Sequence, residues 1–188
     1  MDLLIARQNR VDNTAPSVYN RSKEKLIVAV LDTSFWSLAC SIHLDAYLFD
    51  FYGTPIYVPP AVDAEIDSDS LRGPLIGPDR KRYRLTKQEG RLLCYSQTFE
   101  PYHEFGFGER EAIGLALSLD ADLLINDHNP YMAAQALGIT VVSVPEFIAL
   151  VHKDRLINSE MALGMLGKIS SHTAKPLIEA VNDLIAAT

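Results

Sequence analysis

Residues 26–34 read LIVAVLDTS, six apolar residues followed by an acid and two hydroxyl residues. A short, continuous apolar run is typical of a strand that a parallel sheet buries on both faces. The hydroxyl residues can cap a helix that starts directly after the strand. A second run, LLIN at residues 123–126, is followed by Asp127. The two runs therefore predict two buried strands, each ending in a carboxylate, Asp32 or Asp127.

Helical and strand patterns alternate through the rest of residues 26–188. This alternation predicts βαβ units and a parallel sheet, so we expect one α/β domain over that range. Residues 1–25 are polar, show no sustained periodicity and are predicted to form an N-terminal arm. The individual predictions are strands over 26–31, 56–58, 123–126 and 139–144, a loop over 67–80, and helices over 36–42, 44–52, 60–66, 86–98, 109–119, 130–137, 145–151, 159–166 and 173–186.

Composition limits the class of protein. The chain has 188 residues, of which 48% are hydrophobic and 22% charged, so a globular domain can form a core without a disulfide or zinc staple. Its two cysteines, Cys40 and Cys94, form no CxxC pair, and a cytoplasmic location is expected. The longest aliphatic run is far shorter than a membrane span and the first residues lack an export signal, so no membrane partner is expected.

Charge is distributed unevenly along the chain. The formal net charge is −7, yet the basic segment, residues 80–91, holds six basic residues and one acid. A basic segment on an acidic protein predicts contact with a phosphate backbone, and the alternative is a solvated surface loop. The residues predicted to bind nucleic acid in this segment are Arg80, Lys81, Arg82, Arg84 and Lys87.

Helix geometry selects two further acids. At about 100° per residue, Glu109 lies on the same side as Ile113 and Ala116, which is the apolar side that faces the sheet. Glu111 points roughly the opposite way. Gly108 leaves room for a close approach of the backbone. On the helix predicted over 60–66, the same geometry places Glu65 beside the apolar face that Val62 and Ile66 share.

Each of these acids also has a plain structural interpretation. Asp32 and Asp127 can be turn formers or helix caps. Glu109 can be a first-turn acid that interacts favourably with the helix dipole. For each of these side chains taken alone, both a structural role and a role in a shared site stay open. The hypothesis of a shared site rests on the four acids together.

The carboxyl ends of parallel strands form one edge of a sheet, where ligands bind. Four carboxylates meeting there, Asp32, Glu65, Glu109 and Asp127, would repel one another unless a cation neutralised them. An all-oxygen ligand set suits Mg²⁺ or Mn²⁺, and Mg²⁺ typically bridges to phosphate oxygens. The set therefore favours phosphodiester hydrolysis, in which the metal lowers the pKa of a bound water. Supporting roles are predicted for Thr33, Ser34 and Asn126, with capping or the end of a strand as the alternative.

Five segments together resemble the PIN-domain family of metal-dependent ribonucleases. They are LDTS at 31–34, PPAVDAEI at 59–66, GEREAIGLAL at 108–117, ADLLINDH at 121–128 and AAQALGITVV at 133–142. The resemblance implies a three-layer α/β/α sandwich with a central parallel sheet, one or two Mg²⁺ or Mn²⁺ ions as cofactor, and RNA as substrate. It implies the family's four acidic positions at Asp32, Glu65, Glu109 and Asp127. Many such proteins are toxins that a small antitoxin silences, so an antitoxin or other regulatory protein is an expected partner, and a homodimer an expected assembly.

One position departs from the family pattern. Relatives often carry a basic residue in the helix after the last acid, where this chain has Tyr131, Met132 and Gln135. A phosphate contact then falls to Arg110 or to the basic segment. Aromatic residues at 95–107 can stack on bases or pack as core and lid; they are Tyr95, Phe99, Tyr102, Phe105 and Phe107.

Two other classes of function compete with the nuclease. A phosphatase or receiver would use Asp32 as a phosphate acceptor, but the phosphatase pattern needs a second acid where Ser34 stands, and no lysine closely follows the strand over 139–144. A non-catalytic adaptor or RNA-binding module would keep the fold without cleaving anything. His128 adjoins Asp127, and it is predicted to be a surface side chain because an all-carboxylate site needs no imidazole.

Overall fold

The computed structural model describes residues 27–68, 78–96 and 104–187. Within these ranges five strands form a single parallel sheet in the order β3-β2-β1-β4-β5. The predicted arm over residues 1–25 lies outside the described residues. The strands are β1 (Ala29–Leu31), β2 (Ile56–Val58), β3 (Leu92–Cys94), β4 (Asp122–Leu124) and β5 (Val141–Val142).

Helices alternate with the strands and pack on both faces of the sheet, which gives the predicted three-layer α/β/α architecture. One of them, α5, contacts β1 and β4, while α8 and α9 pack on each other and on α7. The helices are α1 (Thr33–Ser41), a 3₁₀ turn (Leu44–Tyr47), α2 (Leu48–Tyr52), α3 (Pro60–Asp67), α4 (Pro78–Gln88), α5 (Phe107–Leu119), α6 (His128–Ala136), α7 (Val144–Lys153), α8 (Ser159–Ile169) and α9 (Lys175–Ala186).

The strand order places a crevice beside the centre of the sheet. The chain runs outward from β1 through β2 to β3, then returns to the other side of β1 for β4 and β5. Helices that follow neighbouring strands across such a reversal diverge, and ligands of doubly wound folds bind at this switch point. Here it lies between the carboxyl ends of β1 and β4. The ladder between these strands pairs Val30 with Leu123 and continues to the Asp32 N–H, which donates to the Leu124 carbonyl at 2.9 Å.

The core explains why β1 is so apolar. Val30 and Leu31 have no exposed surface, and neither do Leu123 and Leu124 beside them. A central strand of a parallel sheet is covered on both faces, so it reads as a continuous apolar run rather than an alternating one. Within the described residues, no helix is both long and apolar enough to cross a bilayer.

One region of the fold contradicts the sequence prediction. The helix predicted over 86–98 is wrong, because helix α4 ends at Gln88, Gly90 turns the chain with φ of 72°, and the edge strand β3 follows. Only Leu92 of β3 is buried, so the strand has neither a continuous apolar run nor a clear alternation. Of the loop predicted over 67–80, residues 69–77 lie outside the described residues, and the prediction is wrong at 78–80, which form the first turn of α4.

Candidate active site

A pocket of about 640 Å³ opens at the switch point between β1 and β4. It brings together all four predicted acids, although they come from four separate elements of the chain. Six of its other lining residues are polar and one is apolar. The complete lining is Asp32, Thr33, Ser34, Ser37, Leu38, Ser41, Glu65, Glu109, Asn126, Asp127 and His172.

Asp32 is the most buried of the four acids, with 3% of its surface exposed. It caps α1, since its Oδ2 accepts hydrogen bonds from the Ser34 N–H at 2.9 Å and from the Ser34 hydroxyl at 2.7 Å. Burial nevertheless raises the pKa of Asp32 to about 6, with smaller contributions from the nearby carboxylates of Asp127 and Glu65. The cap and the pocket are therefore two roles of the same carboxylate.

Ser34 connects the ends of the two strands. Its hydroxyl donates to Asp32 and accepts from the Asn126 N–H at 3.0 Å. The Asn126 side-chain oxygen in turn accepts from the Val144 N–H, at the start of α7, at 3.4 Å. Asp127 follows as the N-cap residue of α6 and is exposed, but its side chain makes no cap hydrogen bond to that helix.

Glu65 reaches the pocket because α3 and α5 approach each other closely. Its Oε2 accepts from the Thr33 hydroxyl at 2.7 Å. A Cβ atom at Gly108 would lie 2.8 Å from Glu65 Oε1, closer than a carbon and an oxygen can approach without contact strain. The expected close approach at Gly108 is therefore present, and its partner is a carboxylate of the site.

Glu111 is a structural residue that the sequence analysis did not identify. Its Oε2 accepts from the Ala61 N–H at 2.7 Å, in the first turn of α3. The N-cap of this helix is Pro59, whose side chain offers no acceptor, so the acid of α5 supplies what the helix start lacks. Because Glu65 lies further along α3, this bond helps to hold it against α5. The sequence shows that Pro59 provides no side-chain cap, but it does not show which residue provides the acceptor instead.

Glu109 is hydrogen-bonded at the start of its own helix. Its Oε2 accepts from the Gly106 N–H at 2.6 Å, which completes the reciprocal half of a cap at the start of α5. Glu65 is similarly engaged with Thr33. In the part of the chain that the structure describes, no three Asp, Glu, His or Cys side chains are already placed to hold one ion. Joint ligation by three acids thus requires a rotamer change, and Glu109 and Glu65 are the flexible members.

The chemistry of the donor set fits a hard divalent cation. Its ligating atoms are carboxylate, hydroxyl and amide oxygens, which suit Mg²⁺ or Mn²⁺. The raised pKa of Asp32 fits as well, because a nearby cation would favour the charged carboxylate that burial disfavours. Asp32 and Asp127, on the ends of the two strands, are the natural first ligands, with Glu65 and Glu109 able to join them.

The basic segment is partly engaged within the molecule. Arg82 donates to Asp45 at 2.6 Å, Lys87 donates to both oxygens of Asp63 at 2.7 Å, and Arg84 pairs with Asp67. These pairs attach α4 to α3 and to the 3₁₀ turn. Arg80 and Lys81 line a separate depression of about 390 Å³ on α4, with three further residues of that helix. RNA binding by the basic segment stays a prediction.

Beside the acids, a cation lies over an aromatic ring. The Arg110 guanidinium is 4.3 Å from the centroid of Phe107, a ring with 73% of its surface exposed. Among the other aromatic candidates, Phe105 packs against the core and Tyr95 meets Tyr57 edge to face at 5.5 Å. Phe99 and Tyr102 lie outside the described residues.

One histidine, His172, lines the pocket although the sequence did not predict it there. His128 is exposed, as predicted, and does not line the pocket. His172 does line it, from the turn that joins α8 to α9. No local pattern in the sequence marked His172, because its position follows from the packing of the last two helices.

Comparison with known proteins adds no relative. No protein-family model matches the chain, and no curated protein matches it either.

Proposed function

We propose that this protein is a metal-dependent ribonuclease that hydrolyses RNA phosphodiester bonds with Mg²⁺ or Mn²⁺. The observation that carries the proposal is the burial of Asp32 at the switch point of the sheet, in a pocket with three further carboxylates and no basic side chain of lysine or arginine among its lining residues. A buried carboxylate beside like charges costs free energy, and a cation offsets that cost. The resemblance to PIN-domain proteins supports the same function.

Each group of the pocket has a role in this proposal. A bound cation would supply a water of lowered pKa and would neutralise charge on the phosphate. Asp32 and Asp127 would hold the cation, and Ser34 keeps the Asp32 carboxylate in one orientation through its two hydrogen bonds. Glu65 and Glu109 would complete the ligand set if their side chains turned away from Thr33 and Gly106, to which they are now hydrogen-bonded.

RNA reaches the pocket over surfaces that carry positive charge and an exposed ring. Arg110 and Phe107 lie on α5 near Glu109, and a guanidinium with a ring can contact a phosphate and a base together. Cytoplasmic action as a toxin under the control of an antitoxin, and assembly as a homodimer, belong to the proposal through the family resemblance alone.

A non-catalytic RNA-binding module or adaptor is the second candidate. The bonds of Glu65 and Glu109 to neutral donors favour it, because both acids have partners without a metal. This candidate predicts RNA binding that does not depend on divalent cations and no cleavage at any metal concentration.

Cleavage of labelled RNA separates the two candidates. Wild type, Asp32→Asn and Asp127→Asn are incubated with Mn²⁺, with and without a chelator, and Asp183→Asn serves as the matched control because Asp183 is an exposed acid outside the pocket. We expect both pocket variants to lose activity by about a hundredfold or more, since metal-assisted stabilisation of the transition state amounts to several kcal/mol. Equal cleavage by wild type and Asp32→Asn would exclude the proposed site.

Thermal unfolding gives a readout that is independent of activity. Mn²⁺ at a hundred times its Kd is expected to stabilise the wild type by about 2.7 kcal/mol, because an ion that binds only the folded state shifts the equilibrium. Asp32→Asn should show a clearly smaller shift and Asp183→Asn the full one. Identical shifts in all three proteins would place the Mn²⁺ elsewhere.

A further inference from the structure

The acid pocket contains one nitrogen base. Of its lining residues, only His172 can donate from a ring nitrogen, while the acids offer acceptors alone. His172 is exposed and lies in the turn after α8, where its backbone N–H donates to the Ile169 carbonyl at 2.9 Å. The ring is therefore accessible while its backbone is held.

Packing of the last helices fixes the position of this turn. α8 and α9, which flank it, pack on each other and on α7. α7 begins at Val144, whose N–H donates to the Asn126 side chain inside the pocket. The turn that carries His172 is thus attached, through α7, to the end of β4.

The pocket extends beyond the acids along one face of α1. Ser34, Ser37, Leu38 and Ser41 follow the i, i+3, i+4, i+7 spacing of a single helix face, and all four line the pocket. Seven residues of helix span about 10 Å. The hydroxyl groups of Thr33, Ser34 and Ser41 already donate to acceptors of the protein. The side chains of Ser37, Asn126 and His172 are therefore the lining groups that can donate hydrogen bonds to an anion.

RNA that enters this pocket needs such donors. Its backbone carries a negative charge at every phosphate, and the four carboxylates repel each of them. A cation held by the acids can offset the charge of only the nearest phosphate, so the neighbouring one requires hydrogen-bond donors from the protein. His172 is the donor with the longest reach among the lining residues outside the acid set.

We propose that His172 is a substrate-contacting residue whose ring N–H donates a hydrogen bond to a phosphate oxygen of the RNA, at the phosphate next to the one bound by the acids. The inference rests on the proposed function of the pocket and names the group that holds its substrate. A contact of this kind positions the strand and is equally strong before and during cleavage, so it acts on RNA binding rather than on turnover.

Fluorescence anisotropy with a labelled single-stranded RNA tests the contact without turnover. Asp32→Asn is compared with Asp32→Asn/His172→Ala, Asp32→Asn/His172→Gln and Asp32→Asn/Lys175→Ala in Mg²⁺. Lys175 is the matched control, because it is an exposed cation at the start of α9 outside the pocket. We expect His172→Ala to raise the Kd about tenfold, in keeping with the loss of a hydrogen bond to a charged group, and His172→Gln, which keeps an N–H donor, to recover part of the loss. Lys175→Ala should leave the Kd within about twofold.

Kinetics in the otherwise unaltered protein give a second readout. His172→Ala is expected to raise KM about tenfold with kcat within about threefold, the pattern of a binding contact. The Mn²⁺ thermal shift should stay as in the wild type, because His172 holds RNA and not the metal.

Two results would overturn the proposal. An unchanged Kd in Asp32→Asn/His172→Ala would exclude the phosphate contact, and a reduced Mn²⁺ shift in His172→Ala would make the histidine a metal ligand instead. Failure of the nuclease proposal is a different result, in which the wild type cleaves no RNA or Asp32→Asn cleaves as well as the wild type. The anisotropy comparison remains decisive for His172 in that case.

Discussion

Two groups of acids in this molecule meet opposite electrostatic surroundings. Asp45, Asp63 and Asp67 each face a cation of helix α4, whereas Asp32 and Glu65 are hydrogen-bonded only by neutral hydroxyl and N–H donors of the described residues. In the first group, positive charge from the same chain neutralises the acid and attaches a helix. In the second group, like charges lie together and burial raises the pKa of Asp32 to about 6. Among the described residues, the chain thus places a cation beside each acid that attaches α4, and only neutral donors beside Asp32 and Glu65.

The largest expected effect concerns the pH dependence of stability. With its pKa at about 6 in the folded protein and 3.8 as its ordinary value, Asp32 binds a proton more tightly when folded. The contribution of Asp32 to the free energy of unfolding is therefore highest below pH 4. It falls by about 3 kcal/mol in all as the pH rises through 6. Asp32→Asn lacks this titration, so in chelator its stability relative to the wild type should rise by about that amount between pH 4 and pH 7.

Denaturant unfolding at several pH values measures this difference. Asp183→Asn, an exposed acid, should track the wild type throughout. If the wild type and Asp32→Asn changed in parallel with pH, Asp32 would not be the destabilising carboxylate, and the contrast between the two groups of acids would lose its energetic basis.

Removing a cation from the first group of acids should lower the stability of the protein, whereas Asp32→Asn should raise it relative to the wild type at neutral pH. Arg82→Ala leaves the buried Asp45 without its cation, and we expect a loss of about 2 kcal/mol, less than for a fully buried pair because the Arg82 side chain is 34% exposed. The further change Asp45→Asn should recover part of the loss, since it removes the unpaired charge. Urea unfolding of the single and double variants measures both effects, with Lys81→Ala as the exposed control on the same helix. A double variant less stable than Arg82→Ala would argue against charge as the cause.

The smallest expected effect concerns Glu111, an acid that is neither ion-paired within the described residues nor part of the pocket lining. Glu111→Ala removes the acceptor of the Ala61 N–H and should lower stability by about 1 kcal/mol, the usual cost of losing a helix cap. Glu111→Gln keeps an acceptor oxygen and should cost clearly less. Thermal unfolding compares the two variants, and equal losses would show that the negative charge matters rather than the hydrogen bond.

The sequence predicted the parts of the fold whose signal is local. β1 and the strand before Asp127 are recognisable because burial on both faces leaves a continuous apolar run, and an acid after each run marks the strand end. The side of α5 that carries Glu109 followed from the helical period alone. These elements are enough to place Asp32, Glu109 and Asp127 at one edge of the sheet.

The parts that the sequence did not predict depend on distant partners. Helix α4 is strongly basic; it buries Tyr83 against Trp36, and the rest of its attachment comes from Asp45, Asp63 and Asp67, which lie 17 to 37 residues from their partners. β3 is an edge strand with one buried residue, so it lacks both strand patterns. His172 reaches the pocket only through helix packing, and no short-range rule marks a single turn residue for such a position.

Gly108 gives the site a spatial constraint that works by exclusion. The Glu65 carboxylate occupies the volume that a methyl group at position 108 would fill. Glu65 Oε1 is the end of a flexible side chain, so a methyl group at this position would displace the carboxylate more readily than the two helices. Glycine at position 108 therefore leaves room for the Glu65 side chain in the position beside Thr33 that the structure shows, and this spatial requirement does not depend on the charge of the carboxylate.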